Sequence, residues 1–114
     1  MTRINVVPPS ELTDKHLLAE YRELPRISKL ARPAPDAPAD YVLGPGHVKF
    51  FYDKGAWLKR RFEEEIVPEM RRRGFTVNFT QYRPHGQGLD KDWIATEVAV
   101  NLNRQRIAAR LSGS

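Results

Sequence analysis

The sequence predicts an all-α fold, a compact single domain of three helices with long ordered loops between them, spanning residues 1–114. A chain of 114 residues has the size of one domain with one core. Its hydrophobic fraction of 40% and charged fraction of 29% are typical of a folded soluble protein. Three stretches with helical spacing of apolar residues are separated by segments rich in proline and glycine.

The first helix is predicted over residues 10–32. Ser10 is the expected N-cap, and Glu11 and Asp14 follow in the first turn, where the helix dipole favours acidic side chains. Pro25 lies inside the pattern and removes one helical hydrogen bond, which indicates either a kink that is kept for a reason or simple tolerance of the proline.

This helix has two distinct faces when its residues are placed at 100° intervals. One arc is apolar and is expected to face the core: Leu17, Tyr21, Leu24, Ile27 and Ala31. The opposite arc, called the basic stripe below, consists of Lys15, Arg22, Arg26 and Lys29. His16 and Glu23 are seven residues apart and stack along one edge of that stripe. A solvated face explains such a pattern, but arginine also favours bidentate phosphate contacts, so a phosphate-binding face is the alternative.

A second helix is predicted from about Lys54 to Arg73, after a stiff connection over residues 33–46 and an apolar entry at residues 47–52. Gly74 is the natural stop after its last turn. The run Lys59-Arg60-Arg61 stands at i, i+4 spacing from Glu63-Glu64-Glu65, which predicts an internal ladder of ion pairs. The run Arg71-Arg72-Arg73 lies at the carboxyl end of this helix, where the helix dipole stabilises positive charge.

The last helix is predicted over residues 92–111, after a loop with possible short-strand character over 75–91. Ile94, Val98 and Leu102 are expected to face the core. The same helix carries Arg104, Arg106 and Arg110, of which the last two share a face at i, i+4 spacing.

Composition narrows the classes of function. The chain has no cysteine, which excludes disulfides, a thiolate nucleophile and cysteine-based metal sites, and its three histidines do not favour a histidine-only metal site. No apolar run approaches the roughly 18 residues of a membrane span, and no secretory signal is recognisable, so cytoplasmic placement is expected. The net charge of +5 and pI of about 9.8 indicate a polyanionic partner, above all nucleic acid.

Several motifs carry a family resemblance: Thr2-Arg3-Ile4-Asn5, Ser10-Glu11-Leu12, Ala19-Glu20-Tyr21-Arg22-Glu23-Leu24-Pro25-Arg26, the block from Leu43 to Lys54, and Arg73-Gly74-Phe75. In these motifs the chain resembles the pyrimidine-dimer DNA glycosylase/AP lyase family of the phage endonuclease V type, which is also found in bacteria. The resemblance covers about the first 75 residues and is loose over the last 40.

The resemblance implies a compact three-helix repair enzyme that acts on pyrimidine dimers and abasic sites in double-stranded DNA. It implies no metal, no cofactor and no membrane association, and a monomer is expected. The implied catalytic groups are Glu23 and the α-amine of Thr2, exposed when Met1 is removed. The implied DNA-binding residues are Arg3, His16, Arg22 and Arg26 and, by a looser alignment, Arg106 and Arg110.

Elementary chemistry agrees with these roles. An α-amine has a reference pKa near 7.7–8.0, so on the order of 10–20% of it is free base at neutral pH. Neighbouring arginines lower that pKa further. A free amine can attack a sugar C1′ and form an imine, and a carboxylate such as Glu23 can then assist loss of the C2′ proton.

Two other functions remain open on the sequence alone. One is a non-catalytic basic DNA-binding module, and the other is a basic RNA- or ribosome-associated protein, which only the charge supports. His47 is expected to serve packing and loop hydrogen bonding, and His85 carries no functional signal.

Overall fold

The computed structural model describes residues 4–112, and the side chains of residues 4–109. Over that range the chain forms three helical rods, which confirms the all-α prediction, and no strand longer than one isolated bridge between Lys54 and Asp90. The middle rod, called the central helix below, has three consecutive parts. The first rod is α1 (Asp14–Leu30). The central helix consists of α2 (Gly55–Arg60), a π-helical segment (Arg61–Ile66) and α3 (Val67–Arg72). The last rod is α4 (Glu97–Ser112).

The apolar face predicted for α1 is confirmed at Leu17, Tyr21, Leu24 and Ile27, all at most 5% exposed. These side chains pack against the central helix, whose own buried residues include Phe62 and Ile66. Ala31 lies one residue beyond the helix and is half-buried. One common core therefore holds α1 against the central helix.

The start of α1 differs from the prediction. Residues Pro9–Glu11 form a short 3-10 turn, and the N-cap is Thr13, whose hydroxyl accepts a hydrogen bond from the His16 amide at 3.1 Å. Ser10 does not cap the helix because Pro8 and Pro9 commit the chain to that separate turn. Pro25 lies inside α1, and the helix continues through it to Leu30.

The end of the central helix is as predicted. Gly74 has a φ of +83°, a conformation that glycine adopts without strain. Its amide bonds the Arg71 carbonyl and the Phe75 amide bonds the Met70 carbonyl, both at 3.0 Å, which is the Schellman pattern.

The stretch after Gly74 is loop and not strand. The Tyr21 hydroxyl accepts hydrogen bonds from the amides of Asn78 and Phe79 and donates to the Phe79 carbonyl. The rings of Tyr21 and Phe79 stack at 4.5 Å. Because a side chain satisfies these backbone groups, the segment needs no neighbouring strand.

The buried face of α4 is not the one predicted. Ile94 and Val98 are 87% and 69% exposed, whereas Ala99 and Asn103 are nearly inaccessible and Leu102 is half-buried. The helix begins at Glu97, five residues later than predicted, so Ile94 lies in extended chain. The buried stripe follows a polar residue, Asn103, which hydrophobic periodicity does not detect.

Candidate active site and DNA-binding surface

The N-terminal segment, defined here as residues 4–7, is buried between the helices. Ile4 and Val7 are fully inaccessible, and Asn5 and Val6 are 8% exposed. Nothing within residues 4–112 pairs with this segment as a strand. Its backbone groups are instead satisfied by side chains from distant parts of the chain.

The backbone of Ile4 is held at both ends. Its amide donates to the His47 Nε2 atom at 2.8 Å, and its carbonyl accepts from the Tyr41 hydroxyl at 2.9 Å. His47 also bonds the Val42 carbonyl through Nδ1 at 2.7 Å. Since a carbonyl can only accept, Nδ1 carries the proton and the ring is neutral with Nε2 as acceptor. The structural role expected for His47 is therefore confirmed, and it anchors the residue two positions after Thr2.

Asn103 of α4 holds the next part of the segment. Its Oδ1 atom accepts from the amides of Val6 and Val7 at 2.7 and 3.1 Å. Its Nδ2 atom donates to Asn5 Oδ1 at 2.8 Å. Asn103 is 1% exposed, so all of these bonds are shielded from water.

A buried ion pair also binds the N-terminal segment. The side chains of Glu20 and Arg61 are 0% and 1% exposed and their charged groups approach to 3.1 Å. Arg61 also donates to the Val7 carbonyl at 2.6 Å, and Glu20 accepts from the Asn5 amide group at 3.2 Å. Burial alone lowers the pKa of the Arg61 guanidinium, but the carboxylates of Glu20 and Glu65 outweigh it and raise that pKa.

The ion pairs of the central helix agree only in part with the predicted ladder. Lys59 pairs with Glu63 at 3.0 Å and Arg61 with Glu65 at 3.1 Å, as the i, i+4 spacing predicts. Arg60, however, pairs with Asp92 at 2.8 Å. Arg61 also turns inward, where it binds Glu20 of α1 and the Val7 carbonyl.

The N-terminal segment contacts the middle of α1, and the chain that follows it leads to the first turn of that helix. Near the first turn of α1, Arg73 donates to the carbonyls of Pro9 and Leu12 and pairs with Asp14 at 2.9 Å. Asn5 lies beside Glu20, in the middle of α1. Moving from Leu12 back to Asn5 therefore follows α1 from its first turn to its middle.

Glu23 lies on the edge of α1 between its buried face and the basic stripe. At 100° per residue it is about 60° from Glu20, and His16 is about 40° from Glu20 on the same side. The Glu23 side chain is 29% exposed and its carboxylate is 3.5 Å from Arg26. A half-buried carboxylate thus borders the cationic surface, as the sequence predicts.

The basic stripe is exposed over its whole length. Within residues 4–109, Lys15, Arg22 and Lys29 make no salt bridge or side-chain hydrogen bond, and the Arg26 side chain is 69% exposed. These cations are therefore available to an anionic partner.

The remaining predicted residues are distributed as follows. Arg106 lies half-buried on α4, one turn after Asn103, while Arg104 is bound by Glu11 at 2.8 Å. Thr2, Arg3 and the side chain of Arg110 lie outside the residues that the structure describes. The described residues bring His16, Arg22, Glu23 and Arg26 together on α1.

A comparison with known families decides the affiliation. A model described as pyrimidine dimer DNA glycosylase matches residues 1–83. The chain belongs to the pyrimidine dimer DNA glycosylase family. It is therefore a DNA glycosylase, whose substrate is DNA, and the resemblance read from its motifs is confirmed.

The family match contains the N-terminal segment, α1 and the central helix, and ends before α4. Glu20, Glu23, His47 and Arg61 thus lie within the glycosylase match, and Asn103 and Arg106 lie beyond it. Between residues 4 and 109 no cluster of His, Asp and Glu could hold a metal ion. None of the helices in the described part of the chain is long and apolar enough to cross a bilayer.

Sequence reasoning missed three groups that organise this site, namely Glu20, Tyr41 and Asn103. A signal existed for Glu20, because it falls between Leu24 and Ile27 on the apolar arc of α1. A carboxylate in that position needs a buried partner. No local pattern indicated Tyr41 or Asn103, whose partners are 37 and up to 98 residues away.

Proposed function

We propose that this glycosylase is also an AP lyase and that the α-amine of Thr2, exposed on removal of Met1, is its nucleophile. It acts as one domain, residues 1–114, on UV-type pyrimidine dimers and abasic sites in double-stranded DNA. It needs no metal or cofactor and works as a monomer in the cytoplasm, on the chromosome, in base excision repair.

The observation that carries the proposal is the contact between Asn5 and Glu20. Thr2 is three residues before Asn5, and Glu23 is three residues after Glu20 on α1. Three extended residues span up to about 10 Å, whereas three helical residues rise about 4.5 Å. These lengths allow the chain to bring the amine of Thr2 next to the Glu23 carboxylate, which supports the proposal.

The chemistry proceeds in two steps. The uncharged amine attacks C1′ of the damaged nucleotide, the glycosidic bond breaks, and the base leaves with its bonding electrons and is then protonated. The attached nitrogen loses a proton, the bond from C1′ to O4′ opens, and O4′ takes up a proton, so that a protonated imine joins the protein to the ring-opened sugar. The resulting imine acidifies the C2′ proton, which a base removes, and β-elimination breaks the bond from C3′ to the phosphate oxygen. Glu23 stabilises the cationic sugar in the first step and assists proton removal in the second.

Phosphate binding is assigned to the cationic surface around this site. Arg22 and Arg26 of the basic stripe, together with His16 at its edge, hold the strand near Glu23. Arg3, Arg106 and Arg110 complete the contacts from the N-terminus and from α4. The solvent exposure of Arg22 and Arg26 supports this assignment.

Borohydride trapping on a duplex with one abasic site tests the proposal. The wild-type protein should give a covalent protein–DNA adduct, with EDTA present, and peptide mapping should place the adduct on Thr2. Acetylation of the N-terminus should abolish it, and Glu23→Gln should retain DNA binding but lose nicking by at least about a hundredfold.

Glu64→Gln is the matched control, because Glu64 is an exposed carboxylate on the central helix. It should trap and nick like the wild type. DNA binding without any adduct would replace the proposal with a non-catalytic DNA-binding module. An adduct on a lysine would overturn the role of Thr2 as nucleophile and leave the lyase activity standing.

A further inference from the structure

Asn103 is the one residue through which α4 forms hydrogen bonds to the N-terminal segment in the described part of the chain. Its amide uses both functions at once, since Oδ1 accepts two backbone N–H groups and Nδ2 donates to Asn5. At 1% exposure no water competes with these bonds. The position of α4 and the position of residues 5–7 are thus tied together.

Asn5 in turn connects Asn103 to α1. Asn103 holds the oxygen of the Asn5 side chain at 2.8 Å, and the nitrogen of the same side chain is held by Glu20 at 3.2 Å. Asn5 is therefore fixed from two helices and cannot slide along α1 without losing one of these bonds. Glu20 is itself fixed by Arg61.

Asn103 also lies close to Arg106, the residue of α4 to which DNA binding is assigned above. Arg106 follows Asn103 by three residues, so both side chains lie on one side of the helix. A second contact, the ion pair of Arg104 with Glu11 at 2.8 Å, sets the rotation of α4 against the chain that leads into α1.

We propose that Asn103 is a positioning residue of the repair reaction, which sets the N-terminal amine against Glu23 and makes that placement depend on the docking of α4. This inference rests on the function proposed above. The offset between a nucleophile and its carboxylate partner must hold within about 0.5 Å, and a misplacement of about 1 Å costs roughly a hundredfold in rate.

The test measures the single-turnover nicking rate at saturating protein on an abasic duplex, the Kd for the same duplex, and the folded fraction by circular dichroism. Asn103→Ala should lower the rate by about 10- to 100-fold while Kd stays within about threefold. Asn103→Asp keeps an acceptor for both backbone amides but replaces the donor with a second carboxylate oxygen, which faces Asn5 Oδ1 in a buried position. Its rate per folded molecule should also fall at least about tenfold below wild type.

Glu69→Gln is the control for a purely structural effect, because Glu69 binds Arg72 and Arg73 at the far end of the central helix. It should nick at the wild-type rate once corrected for folded fraction. The proposal is overturned if Asn103→Ala nicks within threefold of wild type, or if its loss follows its folded fraction alone. Should Asn103→Ala not fold, a wild-type rate for Asn103→Asp overturns it.

The wild-type adduct distinguishes failure of the lyase function from failure of the positioning role. If wild-type protein forms no borohydride adduct, the proposed lyase function fails. If it forms the adduct and the Asn103 variants react as fast as the wild type, only the positioning role fails.

Discussion

The basic stripe of α1 and the basic runs of the central helix look alike in sequence and differ in the folded protein. Five of the six cations in the basic runs of the central helix are bound by carboxylates: Lys59 by Glu63, Arg60 by Asp92, Arg61 by Glu20 and Glu65, and Arg72 and Arg73 by Glu69. The sixth, Arg71, is exposed and makes no ion pair within residues 4–109. On α1, Lys15, Arg22 and Lys29 have no such partner among the described residues. More of the charge of the basic stripe is therefore available to an anionic partner than of the charge of the central helix.

The largest effect is expected from breaking the buried pair of the central helix. Arg61→Met leaves the Glu20 carboxylate buried without its counter-charge and should lower the free energy of unfolding by about 3–5 kcal/mol. Lys59→Gln, which breaks an exposed pair, should cost less than about 1 kcal/mol. Urea denaturation measures both. Similar values for the two variants would mean that Arg61 is no more structural than its exposed neighbour.

The second effect concerns DNA affinity and separates the two regions directly. The double variant Arg22→Gln with Arg26→Gln should weaken DNA binding and reduce the slope of log K against log salt by about 0.9 for each lost phosphate contact. Lys59→Gln with Arg72→Gln removes the same charge from the central helix and should leave the slope unchanged. Fluorescence anisotropy titrations at several salt concentrations measure the slopes. Equal slopes for the two double variants would contradict the distinction.

A smaller effect extends the comparison to α4. Arg106→Gln should reduce the salt slope by about one contact. Arg104→Gln should reduce it little, because Arg104 is bound to Glu11 and lowers the pKa of that carboxyl through the hydrogen bond between them. The same titrations compare the two variants. A larger change for Arg104→Gln would show that the ion pair opens on DNA.

The smallest effect is a pH dependence of stability at the end of the central helix. Hydrogen bonds from Arg72 and Arg73 lower the pKa of Glu69 from 4.5 to about 2. A depressed carboxyl pKa stabilises the fold above the unfolded pKa, so this contribution is complete above about pH 5 and is lost as the pH falls toward 2. Glu69→Gln should flatten the stability curve across that window, as thermal unfolding at several pH values can measure. An unaltered curve would mean that Glu69 is not charged in the fold.

Local rules predicted a large part of the fold. Helical spacing identified the buried face of α1, and Gly74 marked the end of the central helix, because both depend on neighbours within one or two turns. The same rules misplaced the cap of α1, since Pro8 and Pro9 form a separate turn before Thr13. They also chose the wrong face of α4, because a helix of mixed polarity is buried through Asn103 and not through its most apolar residues.

The sequence by itself determined the family, the all-α class and the residues of the basic stripe beside Glu23, since each is written in contiguous motifs or in helical periodicity. Only the tertiary structure decided which cations are bound by carboxylates and how residues 4–7 are held. The partners of those residues, His47, Arg61 and Asn103, are 43, 54 and up to 98 residues away along the chain. Hydrogen bonds and ion pairs act over a few ångströms of space, and separation along the chain does not limit which groups they join.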